Sequence, residues 1–117
     1  MIDDGRLPTH LWVDALVRRA QLGGASAFIL QKGDPSRGDV LVIVADLSGK
    51  AHVYAPRTNM DGERVFVDLA GQGAGPEESE ADAYVRRARE RDHDLWVIEI
   101  EDREARHFLT EPIESRA

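Results

Sequence analysis

Leu95-Trp96-Val97-Ile98-Glu99-Ile100-Glu101-Asp102-Arg103 is the stretch whose reading decides the fold, because the strongest apolar ordering signal and the densest ionisable cluster meet in it. Read with a period of two, Trp96, Ile98 and Ile100 fall on one face, and Leu95, Val97, Glu99 and Glu101 on the other. The β-branched and aromatic content favours extended backbone. A strand therefore runs through the core from Leu95 to Ile98 and reaches water at Glu99 to Asp102, since unpaired carboxylates are costly to bury. Any site on it belongs at its C-terminal end.

Upstream, Asp92-His93-Asp94 turns the chain into this strand from an amphipathic helix. Ser79 with Asp82 resembles a capping box at the helix start, and Ala81, Tyr84, Val85 and Ala88 form a narrow apolar stripe. Arg86, Arg87, Arg89 and Arg91 gather in the C-terminal half, where positive charge complements the helix dipole. The same four residues are the chain's candidate anion-binding set, for an acidic ligand or RNA. Before the helix lies Ala70-Gly71-Gln72-Gly73-Ala74-Gly75-Pro76, which invites a phosphate-loop reading. Its spacing is not G-x-G-x-x-G, no P-loop lysine follows, and Glu77, Glu78, Glu80 and Asp82 occupy the place of the phosphate. Residues 70–78 are read instead as a flexible connector.

The first half opens with a helix after Pro8, with Thr9 as N-cap; Leu11, Trp12, Ala15, Leu16, Arg19 and Ala20 make its apolar stripe and Gly23-Gly24 its end. Arg19 buries its stem in that stripe. His10, Asp14 and Arg18 line the other side at spacings of four, a pattern that fits a solvated face better than an acid/base site. Four strands follow: Ala25 to Gln31, Val40 to Ala45, Ala51 to Ala55 with Pro56 as its stop, and Val65 to Leu69. Val40 to Ala45 is apolar on both faces and reads as the central strand. Short turns between the four imply an antiparallel meander. The order α-β-β-β-β-α-β defines an α+β domain with a mostly antiparallel sheet of four to six strands, and both helices are expected on one face. The strand at Leu95 is free to pair beside the first, and Arg106-His107-Phe108-Leu109 offers it a hairpin partner. Residues 1–8 read as a loose lead and 110–117 as a loose tail.

A chain of 117 residues suits one domain, residues 1–117, and 42% hydrophobic with 32% charged residues is the composition of a soluble globule. The 15 Lys and Arg against 22 Asp and Glu leave a net charge of −7, which works against nucleic acid and anionic lipid as partners. With no cysteine, disulfide, thiolate and Cys-zinc chemistry are excluded. The N-terminal Met1-Ile2-Asp3-Asp4-Gly5-Arg6 is not a secretory signal, and the longest apolar run, Val40 to Ala45, is too short to span a bilayer. A cytoplasmic location is the expectation, with no membrane partner.

Chemistry has one serious candidate, the acidic end of the last long strand: Glu99, Glu101 and Asp102, with His107 close in sequence. Carboxylates converging with a histidine can hold a hard metal ion or form an acid–base pair. Against this, Asp102 points away from Glu99 and Glu101 if the strand continues, and a charged strand end that blocks sheet-to-sheet association explains the same residues. His10, His52 and His93 sit in no signature, and no G-x-S-x-G, H-E-x-x-H or S-x-x-K occurs. Trp12 and Trp96 are read as core anchors that pack the first helix on the last strand.

Three segments carry a family resemblance: Leu11-Trp12-Val13 with Arg18-Arg19, Gly33-Asp34 with Gly38, and Asp94-Leu95-Trp96-Val97-Ile98-Glu99-Ile100-Glu101-Asp102-Arg103 through Arg106-His107-Phe108-Leu109. On these the chain resembles a family of short bacterial proteins catalogued only as a domain of unknown function. The resemblance implies a small stand-alone protein and brings no activity, cofactor or catalytic residue. The reading that results is a small binding or accessory module without cofactor that self-associates as a homodimer or meets a protein partner. The alternative is a metal-assisted hydrolase or lyase using Glu99, Glu101, Asp102 and His107.

Overall fold

The computed structural model describes residues 7–115 and runs α1 (Thr9–Leu22), β1 (Ser26–Gln31), β2 (Val40–Ala45), β3 (Ala51–Thr58), β4 (Arg64–Asp68), α2 (Glu78–Arg91), β5 (Trp96–Glu101) and β6 (Ile113–Ser115). The strands form one six-stranded sheet in the order β1-β5-β2-β3-β4-β6. β5 lies between β1 and β2, antiparallel to the first and parallel to the second. The expected four-strand meander is therefore three strands, β2-β3-β4, with β1 displaced to the edge. Apolar content decides the exchange. Trp96, Val97, Ile98 and Ile100 are all buried, so β5 takes the inner place beside β2 and leaves the rim to β1.

Every residue of β2 is buried, as its apolar run predicts for a central strand. Being apolar on both faces, it needs cover on both, and the two helices lie on opposite faces instead of one. Val13, Leu16 and Ala20 of α1 close over Val40, Val42, Val44, Trp96, Ile98 and Ile100. Ala81, Val85 and Ala88 of α2 close over Leu41, Ile43, Val53 and Val97. One helical layer would have left the second set in water, at about 1.5–3 kcal/mol for each large side chain. In α1 the buried line includes Val13, and Leu11 turns to solvent. Arg19 keeps its stem inside and donates from Nε to the Phe108 carbonyl at 3.0 Å, with Nη2 buried.

Both helix starts differ from expectation. Thr9 is the first helical residue, and its hydroxyl donates to the Gly38 carbonyl at 3.0 Å instead of capping the helix. The free N–H groups of Thr9 and His10 reach the carbonyls of Ser36 and Pro35, so the 33–38 loop is the cap. In α2, Glu77 precedes the helix without a side-chain cap, Glu78 N–H donates to Gly49 O, and Lys50 ion-pairs with Glu77. The 70–78 connector folds against the start of β3: Ala74 is fully buried and Ala51 N–H donates to Pro76 O at 2.8 Å.

Two further corrections concern strands. β3 continues through Pro56 to Thr58. Its pairing with β2 ends at Tyr54, and beyond that point Pro56 has only β4 as a neighbour, so no ladder donor is missed. The segment 106–109 is not a strand. The last strand is β6, parallel to β4 from Phe66 opposite Ile113 to Asp68 opposite Ser115. The ring that Trp12 stacks on is Phe66 of β4, at 5.6 Å, and the Trp12 Nε1 donates to Glu111 at 2.6 Å. Trp96 instead donates from Nε1 to the Asp34 carbonyl at 2.7 Å.

Candidate functional site

α2 packs over β2 and β3 and covers β5 only as far as Val97, α1 reaches β1, and this offset leaves the Glu99–Glu101 end of β5 and the adjoining face of β1 more open on the α2 side. Alternation along β5 puts Glu99 and Glu101 on that open face. β1 has no charge and no proline in Ser-Ala-Phe-Ile-Leu-Gln, and a bulge at Leu30 breaks its register between Ile29 and Gln31. A bulge re-aims side chains, and here Leu30 and Gln31 both line the groove between β1 and α2. The groove is a cavity of about 490 Å³ whose walls include Leu30, Ile43 and Val85, with Glu99 on its floor and Arg86 and Arg89 along the helix side.

Glu99 is half-buried, and its carboxyl is held above the usual range. Burial is the first cause, followed by Glu101, then by Asp82 and Glu78 from α2, all acidic. The four candidate arginines do not converge: Arg86 and Arg89 border this groove, and Arg91 borders a smaller cavity of about 170 Å³ on the other flank of α2. Helical spacing divides them, because residues three apart share a side and those one apart do not.

Asp102 and His107 lie away from Glu99 and Glu101, on the α1 side of the sheet. Asp102 is buried and accepts from Arg106 N–H, Nε and Nη2 at 2.8–2.9 Å, while Arg106 Nη2 also donates to Gly23 O at the end of α1. The Arg106 hydrogen bonds hold the Asp102 carboxyl down at about 2. His107 packs edge-on to Tyr54 at 5.2 Å and accepts the Leu109 N–H on Nδ1. The four residues proposed as one metal or catalytic set thus divide between two faces. Among the described residues no group of three or more His, Asp or Glu is placed to hold a metal ion.

Asp102 braces a strained turn, for Ala105 and Phe108 both have positive φ, at 57° and 61°. Its depressed pKa stabilises the fold fully above the ordinary value of 3.8 and loses that contribution as pH falls through about 2. Asp102→Ala is expected to melt several degrees lower at pH 7 and to show a flatter loss of stability between pH 4 and pH 2. Thermal melts across that window check it; parallel curves for the two proteins would refute the role.

One arrangement is beyond the reach of sequence periodicity. Alternation puts His52 and Tyr54 on one face, but pairing Tyr54 with Asp68 across β3 and β4, and folding His107 over them, requires the sheet. His52 Nδ1 lies 2.8 Å from Asp68, and since a carboxylate only accepts, the imidazole donates there. Burial pushes the Tyr54 hydroxyl up to about 12, with Asp68 adding to it, and burial lowers His107. Neither cavity flanking α2 reaches this cluster, which braces β3, β4 and the 102–112 segment.

Fold and site together define a small α+β protein with a mixed sheet between two offset helices, an uncharged free edge, and an open groove beside that edge. A family profile described as "Protein of unknown function (DUF1491)" matches residues 7–110, and the chain belongs to that family. It is similar to the crystal structure of a DUF1491 family protein from Caulobacter crescentus CB15, with 47% identity over 93% of this chain and 100% of that one, TM-score 0.86. An NMR structure of a DUF1491 family protein from the same organism gives 48% identity, TM-score 0.80 and coverage of 93% and 97%. A solution structure of a protein from A. tumefaciens gives 32% identity, TM-score 0.74 and coverage of 96% and 99%. No protein of curated function matches the chain. Among the described residues no helix is long and apolar enough to cross a membrane.

Proposed function

We propose that this chain is a binding module that pairs with a second copy of itself through the free edge of β1. The observation that carries the reading is the exposure of three successive apolar residues on an edge strand: Phe28 at 46%, Ile29 at 38% and Leu30 at 40%. Edge strands are normally blunted by lysine, proline or an inward charge. β1 carries none of these within its six residues, and its one irregularity is the bulge at Leu30. Two copies that each carry −7 repel at long range, so a seam between them favours an uncharged strand, and antiparallel pairing of β1 with β1 is self-complementary about a two-fold axis. Main-chain hydrogen bonds then extend the sheet through both copies.

Sedimentation equilibrium tests the proposal. The wild-type chain is expected as a dimer and Phe28→Lys as a monomer with unchanged circular dichroism, because a lysine there faces its cross-strand partner Glu99 and is tolerated within one copy. A wild-type protein that sediments as a monomer at every concentration, or a Phe28→Lys variant that remains dimeric, overturns it.

A further inference from the structure

Three histidines of the described chain make hydrogen bonds through a ring nitrogen, and they differ in what a proton does to them. His52 Nδ1 faces the Asp68 carboxylate, and His10 Nδ1 lies 3.0 Å from the Pro35 carbonyl. Both oxygens can only accept, so these rings donate, and a proton added to the far nitrogen leaves either bond in place. His107 is the opposite case. Its Nδ1 accepts the Leu109 N–H at 2.9 Å, and among the described residues it is the one histidine whose ring is hydrogen-bonded as an acceptor. A second proton turns that nitrogen into a donor, so the bond is lost and the backbone N–H of buried Leu109 is left without its partner.

The bond closes a short, strained stretch. Phe108, between the two partners, has a φ of 61°, and Ala105 one of 57°. Upstream the stretch is anchored by Asp102 and Arg106, and the Asp102 carboxyl, held down at about 2, keeps that anchor ionised through mildly acid pH. Downstream, Leu109 and Ile113 pack with Phe66 in the core of the α1 face, Glu111 accepts from Trp12, and Phe66 N–H donates to Pro112 O at 2.9 Å. A charged ring finds little compensation here. Tyr54 of β3 meets it edge-on, with His52 stacked on the same tyrosine at 6.4 Å. Asp68 of β4 favours the charged form, but it already accepts from His52 and from the Ala70 N–H. Arg19 of α1 reaches the adjoining Phe108 carbonyl, and Arg106 precedes the ring in the chain, both positive. We infer that residues 107–113 form a pH-sensitive latch: neutral His107 holds them on β4, and protonation of its ring releases them and frees the β4 edge beside Phe66. Burial is the larger influence on His107 and lowers its pKa below the ordinary 6.5. The open chain takes up the proton near 6.5 and the closed one only at lower pH, so the latch is at full strength above 6.5 and weakens as pH falls below it.

Amide hydrogen exchange of the 15N-labelled chain, expressed as protection factors across a series from pH 7.5 to pH 5, is the test. Protection at Leu109 and Phe66 is expected to fall at least tenfold, with a midpoint shared by the His107 ring resonances, while Val42 and Ile98 in the centre of the sheet keep theirs. His107→Asn sets an amide oxygen near the place of Nδ1 and cannot titrate, and is expected to hold Leu109 protected throughout the series. His52→Gln is expected to respond as the wild type does. Protection at Leu109 that does not change with pH, a loss that does not follow the His107 titration, or a loss that persists in His107→Asn overturns the inference. An equal fall at Val42 and Ile98 overturns it in favour of global unfolding, and a response abolished by His52→Gln overturns it in favour of the His52–Asp68 pair as the trigger.

Discussion

Gly33→Ala is expected to lower the melting temperature by on the order of 15 °C, corresponding to at least about 3 kcal/mol of stability for a domain of this size. A Cβ at Gly33 would overlap the Asp94 carbonyl, whose carbon would lie 2.6 Å away, and Gly38 approaches the same carbonyl. These contacts are with backbone, which has no rotamer to yield. Relief would require the 33–38 loop to leave β5, breaking Asp34 N–H to Asp94 O at 3.0 Å and the Trp96 indole to Asp34 O. That loop also caps α1 through Pro35, Ser36 and Gly38, so one methyl group disturbs the entry to β5 and the start of α1 together. Gly62 is the control. Its φ is 82° and no atom lies within 4 Å of where a Cβ would sit, so Gly62→Ala costs only about 1–2 kcal/mol of backbone strain. Thermal melts of the two variants decide the matter, and a Gly33→Ala protein no less stable than Gly62→Ala would refute the packing argument.

Phe66→Ala comes second, with an expected loss of about 3–5 kcal/mol in urea unfolding. Phe66 is fully buried on β4, stacks on Trp12 with ring planes 15° apart, and belongs to the core on the α1 face. Truncation leaves a cavity and strips the partner from an indole that also holds Glu111, so α1 loosens from the β4–β6 end of the sheet. Phe66→Leu keeps most of the volume and is expected to cost less than about 1.5 kcal/mol. Tryptophan fluorescence follows the loss directly, and equal destabilisation by alanine and leucine would show that the ring fills no space that matters.

The family motif around Gly33, Asp34 and Gly38 shows what a sequence can and cannot say. Its turn-forming composition before β2 is legible, but its partner is not, because the carbonyl it grips belongs to Asp94, some sixty residues away. Long separation along the chain also hides from the sequence that Trp12 stacks on Phe66. An indole on an amphipathic stripe announces a core position without naming the ring it meets. The acidic end of β5 is legible in part: Glu99 and Glu101 do share an open face, and Asp102 does turn from them. What lies outside the reach of alternation is the contribution of α2, whose Asp82 and Glu78 join Glu99 only after the crossover is closed. The arginines fail as a set for the opposite reason, since their clustering along the chain is dispersed by the helical turn.

Local composition and periodicity determined the α+β class, the positions of the two helices and of most strands, the central place of Val40 to Ala45, and the family resemblance. Each depends on neighbours a few residues apart, and side-chain alternation or helical spacing reports them directly. Only the tertiary structure decided that β5 separates β1 from β2, that the helices take opposite faces, and that β1 is left as an uncharged edge beside a groove. Those outcomes are competitions among distant segments for the same buried positions. The more apolar strand takes the interior, and the segment that loses the competition is left as the exposed edge.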